Sequence, residues 1–275
     1  FSTGIFILEK LGLVLGDYYA SEIDKDAISI SAYNFEGRIR QLGDITLLND
    51  DDVRALGKFD LLIGGSPCND LSLVNPDRRG LYNVKSTGFL FFDYVRIKET
   101  LTDDNPDLLF LFENTAAMPK DILDDISSYL QCTPHLVDAK HFSPQSRARY
   151  FWTNLNNEVE VIGQQPGYKN LASYMTPHCG RKPTVDRIRT LTTNPNCLLQ
   201  GRNRIPAVLM NDETDTLWIT ELEEIFGFPR HFTDVGNLSA KRRRQLLGKA
   251  WSVPVVSHIL KPLRDFFATK DPADC

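Results

Sequence analysis

Residues 59–76 read FDLLIGGSPCNDLSLVNP and carry the clearest indication of the fold. An apolar run ends in two glycines and is followed by a Pro-Cys pair, a pattern that predicts a buried strand ending at the ligand-binding edge of a sheet. Small residues at that point allow a ligand to approach closely. A lone cysteine such as Cys68 is more often a small buried hydrophobe than a nucleophile, so its position alone leaves both interpretations open.

The first half of the chain alternates short apolar runs with amphipathic stretches, which predicts the βα units of a doubly wound parallel sheet. The expected strands lie at 17–22, 38–44, 59–65, 107–114, 135–142 and 149–154, and the expected helices lie at about 4–12, 24–33, 86–100 and 120–130. From 155 to 215 this rhythm gives way to Gly, Pro, Asn and Thr, as in a loop-rich insert. Helical patterning returns over 216–268, and 269–275 is expected to fray.

Composition and charge limit the class of protein. With 42% hydrophobic and 24% charged residues, the chain has the make-up of a globular protein and not of a disordered one. Its apolar runs, such as 108–112, fall far short of the ~20 residues that span a bilayer, so no membrane partner is expected. Five scattered cysteines without metal-ligand spacing indicate a reducing, intracellular setting. A net charge of −5 disfavours a polyanion, and the basic run at 241–244 reads equally well as a solvated helix face.

Two acids stand where predicted strands end, at the edge of a parallel sheet that binds nucleotides. Glu22 suits the hydroxyls of a ribose, and Asp44, one strand later, suits the exocyclic amine of an adenine. Taken alone, each has a structural alternative: Glu22 as an acid at a helix N-terminus and Asp44 as a turn residue.

A second group of side chains is expected near Cys68. Glu113 follows the strand DLLFLF, where a carboxylate can protonate a ring nitrogen while sulfur attacks the neighbouring carbon. Arg147 and Arg149 lead into YFW, and strand alternation predicts that they lie on the same side. The alternatives are a solvated glutamate and an exposed basic pair.

The segments GGSPCNDLS, LFENTAAM, RARYFW and GKAWSVPV, in this order, resemble the catalytic motifs of animal de novo DNA (cytosine-5) methyltransferases. The resemblance runs from Phe1 to about Ala268. It implies an α/β fold: a Rossmann-like S-adenosylmethionine-dependent methyltransferase sheet with helices on both faces and a small loop-rich target-recognition insert. The catalytic core would comprise 1–154, the insert 155–215, and the helices returning to the core 216–268. The family's first strand, which precedes FSTG, is expected to be missing from a chain that begins at Phe1.

The resemblance also implies roles for individual residues. Cys68 would be the nucleophile on cytosine C6 and Glu113 the acid at N3, while Arg147 and Arg149 would hold the flipped base. The implied methyl donor is S-adenosyl-L-methionine, with S-adenosyl-L-homocysteine as product; its site would comprise Phe1, Ser2, Thr3, Glu22, Ile23, Asp44, Ile45, Lys249, Ala250 and Trp251. Trp251 would otherwise be read as a core aromatic residue. No metal is expected.

Double-stranded DNA is the implied substrate, and the implied contacts are Val74, Asn75, Pro76, Arg78, Arg79, Arg189, Thr193, Asn194, Arg202 and Arg243. The loop 70–80 would close over the flipped base with its apolar tip as a wedge, although a mobile surface loop is the simpler interpretation. Relatives carry a basic residue where this chain has Asn194. Asparagine matches adenine better than guanine, so CpG and non-CpG targets are both left open.

The resemblance further implies association with a second copy or a paralogue, and a nuclear location. The expected interfaces are an aromatic one, formed by Phe89, Phe91, Phe92 and Tyr129, and a polar one near Asp234. The alternative for the phenylalanines is a place in the core. A catalytically silent partner of an active paralogue is the main rival hypothesis, and a tRNA-directed cytosine methyltransferase is a third.

Overall fold

The computed structural model describes residues 1–155, 163–193 and 195–270, with helices and strands alternating along the first half of the chain. The helices are α1 (Thr3–Lys10), α2 (Lys25–Phe35), α3 (Asp50–Ala55), α4 (Leu90–Asp104), α5 (Lys120–Leu130), α6 (Ile219–Phe226), α7 (Ala240–Lys249), α8 (Val253–Leu260) and α9 (Leu263–Phe266). The strands are β1 (Tyr18–Ala20), β2 (Ile39–Gln41), β3 (Leu61–Gly64), β4 (Leu109–Thr115), β5 (His135–Asp138), β6 (Ala148–Thr153), β7 (Arg181–Pro183), β8 (Leu199–Gln200), β9 (Ile205–Pro206), β10 (Val208–Met210) and β11 (Glu213–Asp215). Short 3-10 helices lie at Ile45–Leu47, Thr87–Phe89, Ala139–His141, Leu171–Tyr174 and Pro195–Leu198.

The chain divides into two compact units. The first unit comprises Phe1–Gln41, Asp138–Arg147 and Glu160–Cys275, and the second comprises Leu42–Val137 and Ala148–Val159. In the first unit β1 pairs with β2 in parallel, and the small sheets β11-β10-β7 and β8-β9 fall within the range predicted as a loop-rich insert. α1 packs on α8 and α6 packs on α7.

The second unit contains the four-stranded sheet β3-β4-β6-β5. β3 and β4 are parallel, as predicted, with Leu61 opposite Leu109. β6 runs antiparallel to β4, with Glu113 opposite Phe151, so this sheet is mixed where the βα pattern predicted parallel strands. The connection 139–147 between the neighbouring strands β5 and β6 is shorter than the dozen or so residues that a parallel crossover needs.

Large aromatic side chains fill the core of the second unit. Phe91, Phe112 and Trp152 are fully buried and lie in one cluster with Tyr94, whose hydroxyl donates to the Leu111 carbonyl at 3.1 Å. Aromatic side chains bury the most apolar area per residue, so this cluster fixes the sheet on which the candidate site is built. In the described ranges, no helix has both the length and the apolar character of a membrane span.

Candidate active site

Cys68 lies in the loop that follows β3 in the second unit. The strand ends at Gly64, and Gly65, Ser66 and Pro67 lead to the cysteine. The Cys68 carbonyl accepts hydrogen bonds from the backbone N–H groups of Leu71 (3.1 Å) and Ser72 (2.9 Å), so the cysteine begins a tight turn. Its thiol is half-buried and in no disulfide, as a nucleophile needs to be.

Glu113 and Arg149 form an ion pair at the end of β4. The Arg149 Nε lies 2.8 Å from the Glu113 Oε1, and each side chain is only 13% exposed. Arg149 lies opposite Thr115, two residues beyond Glu113, so the pair joins diagonal neighbours on one face of the sheet. This partial burial orients the carboxylate better than a surface ion pair would.

The ends of β3 and β4 approach each other closely. A Cβ atom added at Gly65 would lie 2.8 Å from the Glu113 carbonyl oxygen and 3.3 Å from its Oε2. The Asn114 side-chain amide donates to both the carbonyl and the hydroxyl of Ser66, each at 3.1 Å. Gly65 and Ser66, which lead to Cys68, are therefore held against Glu113 and Asn114 at the end of β4.

The loop after Cys68 is fastened at its base and exposed at its tip. The Leu73 N–H donates to the Ala117 carbonyl at 2.6 Å, and the Asp70 carboxylate accepts from the N–H (2.8 Å) and hydroxyl (3.0 Å) of Thr87. These bonds, the backbone one first, hold the pKa of Asp70 below its usual value. The side chain of Val74 at the tip is 82% exposed.

The other implied DNA contacts in this loop also lie at the surface. Asn75 is half-buried and donates from its side-chain amide to the Asn69 carbonyl at 3.0 Å. Pro76 and Arg78 are exposed. Arg79 is exposed and donates to the Lys85 carbonyl at 2.8 Å, which limits the range of positions that its guanidinium samples.

The predicted nucleotide edge of the first unit begins at Glu22. Its Oε1 accepts from the N–H groups of Ile23 and Asp24, both at 2.9 Å, while its Oε2 lies 4.0 Å from the Phe1 amino nitrogen. Ile23 is 70% exposed. The carboxylate therefore has one oxygen fixed by backbone at the start of α2.

Asp24 joins this edge to α7. Its side chain caps α2 by accepting from the Asp26 N–H at 3.2 Å, pairs with Arg242, and lies 3.3 Å from the Lys249 ammonium. Burial raises the pKa of Asp24, but the hydrogen bonds from Lys249 and Arg242 outweigh it, so the pKa lies below its usual value. Sequence reasoning did not find this role for Asp24; an acid two residues after Glu22 at a helix start was the available signal.

Several implied cofactor residues of the first unit lie in its interior. The Ser2 N–H donates to the Ser31 hydroxyl at 3.0 Å, Thr3 is buried, and the Phe1 ring lies 5.3 Å from that of Phe228. Ala250 is buried, Trp251 is half-buried and Lys249 is exposed.

Asp44 and Ile45 belong to the second unit. The Asp44 Oδ1 accepts from the N–H (2.9 Å) and hydroxyl (2.8 Å) of Thr46, which caps the 3-10 helix Ile45–Leu47. These two bonds, the backbone one first, lower the pKa of Asp44. Asp44 thus acts as a turn residue, which was the alternative to its predicted contact with an adenine. Its carboxylate stays half-exposed.

Arg147 closes the second segment of the first unit and lies one residue before β6, so strand alternation does not apply to it. Its guanidinium is buried and donates to the carbonyl oxygens of Leu191, Gly248 and Ala250. Arg149, in the second unit, pairs with Glu113. The hydrogen bonds of Arg147 thus go to backbone carbonyls, whereas Arg149 forms an ion pair with a carboxylate.

Among the implied DNA contacts of the insert, Arg189, Thr193 and Arg202 are exposed, whereas Asn194 lies outside the described residues. Arg243 differs from its prediction. Only 6% of it is exposed, and its guanidinium lies 3.0 Å from Glu223 and 3.1 Å from Asp234. The prediction that Arg243 contacts DNA is therefore wrong, because two carboxylates already hold the buried side chain.

The predicted aromatic interface is only partly a surface. Phe91 is fully buried in the core, so its prediction as an exposed contact is wrong. Phe89 and Phe92 are half-buried with ring centroids 5.1 Å apart, and Phe92 lies 5.3 Å from Tyr129, which is 43% exposed. Tyr82 joins them, and its hydrogen bond to Asp125 raises the pKa of Tyr82 to about 12.

Comparison with known proteins identifies the family. The profile described as C-5 cytosine-specific DNA methylase matches residues 8–194, more than half of the chain. The DNA (cytosine-5)-methyltransferase DRM2 of Oryza sativa is 41% identical over 188 residues, 58% of this chain and 31% of that protein. DRM1 of Arabidopsis thaliana is 27% identical over 191 residues, again 58% of this chain, and 30% of that protein. The orphan methyltransferase M.SPRI of Bacillus phage SPR is 37% identical over 100 residues, 36% of this chain and 20% of that protein.

Solved structures agree on the fold over nearly the whole chain. The Entamoeba histolytica methyltransferase EhMeth superposes with a TM-score of 0.64 at 15% identity, covering 97% of both chains. The S. pombe Dnmt2 methyltransferase gives a TM-score of 0.66 at 17% identity, covering 96% of this chain and 95% of the other. The predicted Rossmann-like methyltransferase fold is confirmed. This chain spans about 30% of the length of its plant relatives, and it belongs to the C-5 cytosine-specific DNA methylase family.

Proposed function

We propose that this chain is a DNA (cytosine-5) methyltransferase of the de novo type, which methylates C5 of a flipped-out cytosine in duplex DNA. The observation that carries the proposal is the arrangement at the ends of β3 and β4. There the Glu113–Arg149 ion pair lies against Gly65, three residues before the half-buried thiol of Cys68. A nucleophile and an oriented acid on adjacent strand ends are what addition to a pyrimidine ring requires.

The first step is addition of the Cys68 thiolate to cytosine C6. A bond forms between the sulfur and C6, and the electrons of the C5–C6 double bond shift towards C4 and N3. Glu113 donates a proton to N3 at the same time. C5 becomes enamine-like and can accept the methyl group. The bond between this methyl group and the donor's sulfur breaks, and its electrons stay on that sulfur. The C5 proton then passes to water, the N3 proton returns to Glu113, and the C6–S bond breaks to release the thiolate.

Arg149 acts in this scheme through Glu113. Its Nε holds the Oε1, so the side chain of the acid is aligned before the base arrives. Truncating Arg149 would remove a cationic partner from a largely buried carboxylate.

The target base must leave the stacked duplex before sulfur can reach C6, at a cost of a few kcal/mol. We assign the tip of the loop after Cys68 to this step. Val74 is 82% exposed beside Pro76, and Arg78 and Arg79 are exposed next to them. An apolar tip followed by two cations suits insertion at the duplex and contact with its phosphates.

The residues of the first unit fit S-adenosyl-L-methionine as methyl donor. Two backbone N–H groups fix one oxygen of Glu22, which orients the carboxylate for ribose hydroxyls. Ile23 offers an exposed apolar side chain beside it. When bound, the donor supplies an electrophilic methyl group on a sulfonium; the other contacts in this unit would be Phe1, Ser2, Thr3, Lys249, Ala250 and Trp251. Asp44 and Ile45 stay expectations from the family resemblance.

Duplex DNA as substrate implies a nuclear location. We also propose that a second copy or a paralogue binds the aromatic cluster at its exposed residues Tyr82 and Tyr129 and its half-buried residues Phe89 and Phe92. Methyl transfer from labelled S-adenosyl-L-methionine to duplex DNA and to tRNA tests the proposal. The intact chain is expected to label unmethylated and hemimethylated duplexes at similar rates, and Cys68→Ala is expected to label neither.

Each alternative has its own signature in this assay. Labelling of tRNA alone would overturn the DNA assignment, and equal activity of Cys68→Ala would overturn the mechanism. A chain that labels nothing yet stimulates an active paralogue would be the silent partner instead. Asn194→Arg should raise the preference for CpG over CpA by roughly 10-fold or more, since a bidentate arginine contact to guanine contributes about 1–3 kcal/mol; an unchanged preference would show that residue 194 does not read the base.

A further inference from the structure

We propose that Arg147 is a positioning residue that joins the recognition stretch Leu191–Thr193 to the donor segment Gly248–Trp251, so that binding of DNA and of methyl donor are coupled. This inference rests on the proposed function, in which Lys249–Trp251 would contact the donor, and on the DNA contact at Thr193 that the family resemblance implies. The contacts that carry it all lie within the first unit.

The guanidinium of Arg147 bridges three backbone carbonyls. It donates to the Leu191 oxygen at 3.2 Å on one side, and to the Gly248 and Ala250 oxygens at 3.3 and 2.8 Å on the other. Its charge also lies 5.4 Å from the centroid of the Phe226 ring. Only 5% of the residue is exposed, so bulk water cannot easily replace these bonds.

Arginine is suited to this task because its planar fork fixes the direction of every N–H donor. A lysine would keep the charge but would hold the three carbonyls only through one compact ammonium group. The backbone N–H of Arg147 donates to the Asp138 Oδ1 at 2.8 Å, which anchors the base of the side chain.

A second contact joins the same two segments. A Cβ atom added at Gly248 would lie 2.9 Å from the carbonyl carbon of Thr192 and 3.1 Å from its oxygen. The end of α7 therefore rests directly against the backbone of the recognition stretch. This contact does not involve Arg147, so it supports the coupling independently.

The segment that bears Arg147 is itself attached to the insert. The Ser146 N–H donates to the Ile188 carbonyl at 2.9 Å, and the Thr190 hydroxyl donates to the Ser146 carbonyl. Movement at residues 188–193 is thus transmitted to Arg147 and, through its two carbonyl partners on the other side, to the donor segment.

Hydrogen exchange of the backbone amides in the ligand-free protein tests the mechanical part of the inference, namely that Arg147 holds the recognition stretch and the donor segment together. Arg147→Lys and Gly248→Ala are each expected to accelerate exchange at 190–193 and at 249–252 together, whereas Arg187→Lys, at an exposed position, should change neither. Acceleration at one segment alone, in either variant, would overturn the inference. This result does not depend on whether the chain methylates DNA.

Binding of S-adenosyl-L-homocysteine, with and without a duplex containing one cytosine, tests the functional part. In the intact chain the duplex should tighten binding by 5-fold or more, within the usual range of coupling between sites. In Arg147→Lys this factor should fall towards 1, and binding without DNA should also weaken because the donor segment loses the bonds to Gly248 and Ala250. An undiminished factor in both variants would refute the coupling. Failure of the intact chain to bind either ligand would instead refute the proposed function, and the exchange result would still decide the mechanical part.

Discussion

Replacing Gly65 with alanine tests the close approach of Gly65 to Glu113 in the candidate active site. The added Cβ would lie 2.8 Å from the Glu113 carbonyl oxygen and 3.3 Å from its Oε2. Ordinary van der Waals contact begins at 3.4 Å, so the two strand ends must separate by about 0.6 Å. Neither neighbour yields easily, because the carbonyl belongs to β4 and the carboxylate is held by Arg149.

Two effects of Gly65→Ala follow from this displacement. Overpacking typically costs about 1–3 kcal/mol in the free energy of unfolding. A shift of roughly 1 Å between reacting groups can cost about 10²-fold in rate, so a displacement of 0.6 Å should lower the rate of methyl transfer about 10-fold, or ~1.4 kcal/mol in the barrier. The φ angle of Gly65 is not positive, so backbone strain does not contribute.

Urea denaturation and single-turnover methyl transfer at saturating methyl donor measure the two effects separately. Gly16→Ala is the matched control, since its Cβ would meet nothing within 4 Å. Gly64→Ala is the second comparison, because its Cβ would lie 2.8 Å from the Tyr94 ring in the core and should lower stability more than rate. If Gly65→Ala kept both the stability and the single-turnover rate of the wild type, the close approach of Gly65 to Glu113 would be refuted.

Three further changes have defined outcomes. Arg243→Ala should lower the free energy of unfolding by about 3–5 kcal/mol because it leaves the fully buried Glu223 without its cation. As a control, Lys241→Ala at an exposed position should change this free energy by less than ~0.5 kcal/mol. Urea denaturation measures both variants, and equally small effects would contradict the importance of the buried pair. Asp24→Asn should lose less stability than the wild type as the pH falls from 7 to about 3. The reason is that a carboxylate with a lowered pKa stabilises the fold above its unfolded pKa near 4 and loses that contribution on protonation. If the stability of the two proteins fell equally with pH, the ion pairs of Asp24 would contribute nothing to the fold. Glu113→Gln should lower the single-turnover rate about 10²–10⁴-fold with little change in DNA affinity, and a rate near that of the wild type would exclude Glu113 as the acid.

The order of strands and helices in the first half could be read from the sequence because each element has a clear local signal. β3 and β4 are apolar runs bounded by polar residues, and α5 has an apolar stripe at Ile122, Ile126 and Leu130. α3 was missed although its signal was present: Asn49 and Asp52 form a capping box at its start. α3 is short and has a single buried residue, Val53, so it shows no apolar stripe by which a helical pattern could be recognised.

Burial of individual side chains was harder to predict, because it depends on contacts distant in the chain. Phe91 shares a helical stripe with Tyr94 and Val95, which could have identified it as a core residue. Arg243 had no comparable signal. It lies in a run of four basic residues, and its burial follows from Glu223, twenty positions earlier, whose own burial is equally unexpected for a charged residue.

The alternation of side chains along a strand predicts the surroundings of Arg149 but not those of Arg147, because β6 begins between them. The alternation rule places residues two apart on the same side only if both belong to the strand, and β6 begins at Ala148. Arg149 obeys the rule and meets Glu113 through the sheet register, whereas Arg147 lies outside the ladder and meets carbonyls of the insert and of α7. We therefore propose different roles for these two identical side chains: Arg149 aligns Glu113, and Arg147 joins residues 191–193 to residues 248–251. A conservative change to lysine at both positions should separate these roles, slowing the chemical step at 149 and uncoupling the two ligands at 147.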